Sequence, residues 1–131
     1  MGLDTTHGCW HGPYSSFNRW RSAIARAAEY PPLHSMVGYR DGGIPWDPYL
    51  SDPLTRLLHH SDCDGRIIAA DCGPIADRLQ QLLDSSSIVS ADRDGSEAER
   101  SREQEYLWKQ TERFIAGLRE AAADDEDVEF H

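Results

Sequence analysis

The sequence predicts an α+β fold that is mainly α: about four helices, with a small terminal β-sheet pairing the N- and C-terminal segments. Three observations predict it. Apolar residues recur at helical spacing in four stretches, most clearly at Leu107, Phe114, Ile115, Leu118 and Ala122. Both ends alternate instead, with Leu3, Thr5, His7, Cys9 and His11 at the start and Val128-Glu129-Phe130 at the close. The 131 residues suffice for one domain, 1–131, around a single modest core.

In chain order, residues 2–12 would place Leu3, Thr5, His7, Cys9 and His11 on one face of an extended segment, weakened at Gly8 and Gly12 by a bulge or by the close approach of another backbone. His7, Cys9 and His11 offer three metal-ligand atoms; the competing reading is a buried thiol and surface imidazoles, preferred for Cys9 and His11. For Asp4 and His7 both readings stay open. A helix capped by Ser15 or Ser16 follows, with Phe17, Trp20, Ile24 and Ala27 inward and Arg19, Arg21 and Arg26 on the surface. Pro31-Pro32 stops it.

A long connection then runs from His34 to Asp52, with Tyr39, Trp46 and Tyr49 as recognition surface or as a lid over the core. Asp52-Pro53 opens a short helix with Leu54, Leu57 and Leu58 inward, and Gly73-Pro74 starts another with Ile75, Leu79, Leu82 and Leu83 inward. The serine-rich stretch 84–98 reads as a flexible loop. Ser96 and Glu99 have capping-box spacing for the last and longest helix, which should stop near 121–123. The acids Asp124–Asp127 then stand unfavourably at the negative end of its dipole.

Charge restricts the function classes. The net charge is −10; residues 1–60 hold five acids and five bases, and residues 61–131 hold 18 acids and eight bases. Such an acidic half repels phosphate backbones, which argues against nucleic acid as a partner and leaves a protein or a small molecule. No apolar run reaches membrane-spanning length, so no membrane is expected. The opening residues lack the basic flank and apolar stretch of a signal peptide, and three cysteines suit a reducing compartment; a cytoplasmic location is expected.

The residues least explained by packing are His59-His60-Ser61-Asp62-Cys63-Asp64-Gly65, between two amphipathic helices. This helix-loop-helix resembles the calcium loop of EF-hand and dockerin proteins. With His60 at loop position 1, Asp62 falls at 3, Asp64 at 5, Gly65 at 6 and Asp71 at 12. It departs in its first ligand, a histidine, and in its last, an aspartate where glutamate is usual. The resemblance implies a divalent ion, and the departures shift the choice from calcium towards zinc or manganese. The stretch from His60 to Gly65 also resembles the first motif of DHH phosphoesterases, which would imply metal-assisted hydrolysis, although no second such motif is present. A plain Asp-rich turn explains the same spacing.

The opening Gly-Leu-Asp-Thr-Thr-His-Gly, the central His-Ser-Asp-Cys-Asp-Gly, the Cys-Gly-Pro-Ile-Ala-Asp-Arg-Leu stretch and the closing Val-Glu-Phe-His resemble a group of small actinobacterial and actinobacteriophage proteins. The resemblance implies a phage-related setting and no particular activity. Two functional expectations follow. One is a small binding or regulatory protein whose divalent ion (zinc, manganese or calcium) is held among His60, Asp62, Asp64, Asp71, His131 and His7. The other is a metal-dependent hydrolase of a phosphate or nucleotide-like substrate, with Glu129 or Asp4 as base. Either requires the start, middle and end of the chain to converge.

Overall fold

The structure is a computed structural model that describes residues 2–39, 42–59, 65–89 and 96–130. Four helices, α1 (Tyr14–Ala27), α2 (Thr55–Leu58), α3 (Ala69–Asp84) and α4 (Glu97–Ala123), accompany four short strands. These are β1 (Gly2–Asp4), β2 (His11–Pro13), β3 (Gly65–Ile67) and β4 (Val128–Phe130). The class is α+β, mainly α. Helix α4 is the spine and packs most extensively on α3.

The periodic apolar residues are the core. Trp10, Phe17, Trp20 and Phe114 are buried together, with 4.7 Å between the Trp20 and Phe114 rings and 5.2 Å between those of Trp10 and Phe17. Each such pair adds about 0.5–1.5 kcal/mol beyond burial. The Trp20 indole N–H donates to Thr111 Oγ1 at 2.9 Å, and that hydroxyl donates to the Leu107 carbonyl. This chain of bonds explains how a threonine sits fully buried on α4. The capping box of Ser96 and Glu99 opens α4 as expected.

Several local expectations are corrected. Helix α1 starts at Tyr14, with Pro13 rather than a serine at the cap position. Arg21 is buried, not on the surface. Its guanidinium lies 4.7 Å over the Phe17 ring and donates to the Leu57 carbonyl and to Asn18 Oδ1. Helix α3 starts at Ala69, so Gly73 and Pro74 lie inside it. Its first N–H finds a cap elsewhere: Asp127 Oδ1 accepts the Ala69 N–H at 2.9 Å from 58 residues away in sequence.

The N-terminal segment is not one continuous strand. After β1 the chain makes a 3₁₀ turn, Thr6–Gly8, with His7 at φ 61 and Gly8 at φ 69, and returns as β2 antiparallel to β1. The terminal strand β4 is present, but its antiparallel ladder runs along β3, pairing Gly65 with Phe130 and Ile67 with Val128. There are thus two two-stranded sheets among the described residues. The N- and C-terminal segments meet where they join, through the Thr5–Phe130 bridge and a 2.9 Å bond from the Glu129 N–H to Thr6 Oγ1. In the serine-rich stretch Ile88 is fully buried, and its carbonyl accepts the indole N–H of Trp108 and the amide of Gln104.

Three helices end alike. Glu29, Ser86 and Asp125 have φ of 65, 56 and 53. In each case that residue and the next donate back into the last turn, as Glu29 to Arg26 and Tyr30 to Ala25 do at the end of α1. These are Schellman motifs built without glycine, each accepting a left-handed residue to satisfy helix carbonyls.

Candidate metal centre at the meeting of the chain ends

The geometry at the end of α4 begins with a glycine. A Cβ at Gly117 would lie 2.5 Å from Cys9 Sγ and 2.8 Å from the His7 carbonyl. A bare Cα therefore lets the Thr6–Gly8 turn lie directly on α4, which aims His7 along the helix towards its C-terminus. Asp124 is the C-cap, and the left-handed Asp125 turns Glu126 back so that its N–H reaches the Ala121 carbonyl. One donor atom each from His7, Asp124 and Glu126 lie within 4.8 Å of one another.

His7 Nε2 stands 3.4 Å from Glu126 Oε1, and its other nitrogen, Nδ1, is 3.0 Å from Thr6 Oγ1. The Thr6 hydroxyl donates to the Asp127 carbonyl and accepts the Glu129 N–H. With Nδ1 against the Thr6 hydroxyl, Nε2 is the nitrogen turned to the Glu126 carboxylate, where either a ring proton or a bound cation would bridge the two. A second-shell acceptor on the far nitrogen is also how metal-bound histidines are usually oriented.

The other expected site residues fall differently. His60, Asp62, Asp64 and His131 lie outside the described residues, as does Cys63. Asp71 is in the first turn of α3, with a carboxylate oxygen 4.0 Å from Arg56 Nε. Asp4 is hydrogen-bonded to the exposed His11, its register partner across the β1–β2 hairpin. Glu129 is exposed on β4 opposite Arg66. Asp124 and Glu126 were not among the expected ligands. Their sequence signal was the run of four acids at a helix C-terminus, where a cation would offset the charge.

Neither described thiol is among the converging donors. Cys9 and Cys72 are buried and free. Burial, with Cys72 close by, pushes the Cys9 thiol up to about 12, and burial also raises that of Cys72. Neither offers a thiolate at neutral pH. The aromatic residues of the long connection serve packing as well: Trp46 is buried, stacks on His59 at 4.7 Å and donates to the Val37 carbonyl, while Tyr39 donates to the Leu58 carbonyl.

Fold and geometry define a small α+β protein with a histidine and two carboxylates converging where its chain ends meet. The chain matches no known protein family, no curated protein and no solved structure. No helix among the described residues is long and apolar enough to cross a membrane.

Proposed function

We propose that this chain is a small binding or regulatory protein that carries a divalent ion on His7, Asp124 and Glu126. The observation that carries the reading is the convergence of one donor atom each from His7, Asp124 and Glu126, with the Thr6 hydroxyl at Nδ1 leaving Nε2 turned to the Glu126 carboxylate. Donors bound at ~2.0–2.2 Å to a tetrahedral ion stand about 3.4 Å apart, so the His7–Glu126 spacing already suits ligation. One imidazole and two carboxylates favour zinc or manganese over calcium, which prefers an all-oxygen shell. The ion would neutralise acids gathered at the negative end of α4 and hold the N-terminal turn to the segment before β4. Nucleic acid is disfavoured by the acidic half of the chain, and the resemblance to actinobacteriophage proteins suggests a phage-related setting without indicating an activity.

Three protein donors among the described residues would leave coordination positions open, as in catalytic rather than closed structural zinc sites. That observation supports metal-dependent hydrolysis as a second reading, the open position taking a water.

The test is metal titration of untagged protein with zinc, manganese and calcium, followed by calorimetry and melting. One ion per chain should bind, and an ion at one hundred times its Kd should stabilise the fold by about 2.7 kcal/mol. His7→Gln and Glu126→Gln should remove most of that gain, while Asp62→Ala in the central loop keeps it. Saturable binding lost in Asp62→Ala and kept in His7→Gln would move the site to the loop; no saturable binding would end the proposal. Metal-dependent release of p-nitrophenol from p-nitrophenyl phosphate, abolished by His7→Gln, would select the hydrolase.

A further inference from the structure

The terminal strand and the imidazole of the proposed ion site share one hydroxyl. Thr6 Oγ1 stands 3.0 Å from His7 Nδ1, accepts the Glu129 N–H at 2.9 Å and donates to the Asp127 carbonyl at 3.5 Å. The last two residues are 123 and 121 positions away in sequence. Strand β4 is paired with β3 along one edge, Ile67 with Val128 and Gly65 with Phe130. On its other edge the Glu129 N–H is taken by Thr6, next to the Thr5–Phe130 bridge. A short strand at the end of a chain frays unless its edge groups are held. Thr6 holds this one.

The same hydroxyl orients the ring of His7. This residue has a left-handed backbone, φ 61, which a side chain adopts only at a cost. Its side chain is 11% exposed, with Thr6 at one ring nitrogen and Glu126 at the other. Turning the ring would carry Nε2 away from Glu126, so ring orientation decides whether the donors of His7, Asp124 and Glu126 converge. The partner on the far nitrogen of a ligating histidine sets that orientation.

We propose that Thr6 is a positioning residue through which the ion and strand β4 control one another. An ion on His7 fixes the ring, the ring fixes the Thr6 hydroxyl, and the hydroxyl holds Glu129 to the N-terminal turn. Release of the ion loosens β4 along that edge. Such coupling is reciprocal, so a held β4 also tightens the ion. The inference rests on the ion reading above and adds the regulation of that site.

Zinc titration by calorimetry, with amide exchange of the ¹⁵N-labelled full chain, tests it in wild type, Thr6→Val and Thr6→Ser. Zinc at one hundred times its Kd should slow wild-type Glu129 exchange tenfold or more, towards the roughly hundredfold limit set by that excess. Thr6→Val keeps the side-chain shape and removes the hydroxyl. It should bind zinc about 10–100-fold more weakly, and its Glu129 amide should exchange equally fast with and without saturating zinc. Thr6→Ser restores the hydroxyl and should return both properties towards wild type. Protection of the Leu118 amide, buried on α4, shows that each variant is folded. Wild-type protein that binds zinc without slowing Glu129 exchange overturns the coupling and leaves the ion in place. Thr6→Val binding zinc with the wild-type Kd does the same. Thr6→Ser behaving like Thr6→Val also overturns it, because the hydroxyl would not be the group that acts. A wild-type chain that binds no zinc removes the ion and the coupling together.

Discussion

The Asp127 carboxylate accepts the Ala69 backbone N–H at 2.9 Å, so a residue just past α4 caps the start of α3. The same side chain lies 3.6 Å from Arg66 on β3, and its carbonyl accepts the Thr6 hydroxyl. One aspartate therefore joins α3, β3 and the N-terminal turn to the segment that leads into β4.

Asp127→Ala should cost about 1–2 kcal/mol, the upper part of the usual range for losing an N-cap. Urea denaturation measures it. Asp127→Asn keeps an acceptor for the Ala69 N–H and loses only a partly exposed ion pair with Arg66, worth about 0–1 kcal/mol, so it should lie near wild type. Equal losses in the two variants would mean that the charge, not the cap, is what matters.

Gly117→Ala would gain helix propensity of about 0.8–1 kcal/mol. Packing should reverse that gain. The new methyl would meet the His7 carbonyl at 2.8 Å and the Cys9 backbone nitrogen at 3.0 Å, and backbone cannot swing aside like a flexible side chain. A net loss of about 1–3 kcal/mol is expected, with weaker ion binding because His7 is displaced. A more stable Gly117→Ala protein in thermal melts would show that the turn does not rest on α4.

The buried acids make stability depend on alkaline pH. Cys9 ionises near 9.0 when unperturbed and at about 12 in the fold, and burial likewise lifts Tyr30 from 10.0 to about 12. Each group is neutral in the folded chain where the unfolded chain has already released its proton. The stability from keeping Cys9 neutral is thus fully present below pH 9 and is lost progressively towards about 12. The slope should approach about 1.4 kcal/mol per pH unit for one group between its two values. Cys9→Ala should flatten the first part of that slope. Iodoacetamide near neutral pH should leave Cys9 and Cys72 unmodified in the native protein and label both in urea. Rapid native labelling of Cys9 would contradict its burial.

The helices were legible where a side chain announces itself locally. Ser96 and Glu99 form the capping box their spacing implied, and Leu107, Phe114 and Leu118 face the core as their period required. Helix ends were less legible. Glu29, Ser86 and Asp125 hold a left-handed conformation usually marked by glycine, and nothing in their side chains signals it. The start of α3 was hidden for a different reason: its cap comes from Asp127, so Gly73-Pro74 looked like the first available boundary. Arg21 was read as a surface charge because the Leu57 carbonyl and the Phe17 ring that accommodate it come together through packing.

By itself the sequence determined the class of fold, the residues of the core and the acidic surface, because a period of 3.6 or 2 selects a face whatever lies beyond it. It also named His7 as one of six candidate ligands, in a site centred on His60, and predicted that the chain ends would meet. Only the tertiary structure decided what His7 meets. Asp124 and Glu126 are more than 110 positions away, and in sequence they read as a helix stop. They converge on the imidazole because Gly117 admits the N-terminal turn and Asp125 reverses the chain. Both are conditions of close approach, which depends on distances between segments that no local pattern encodes.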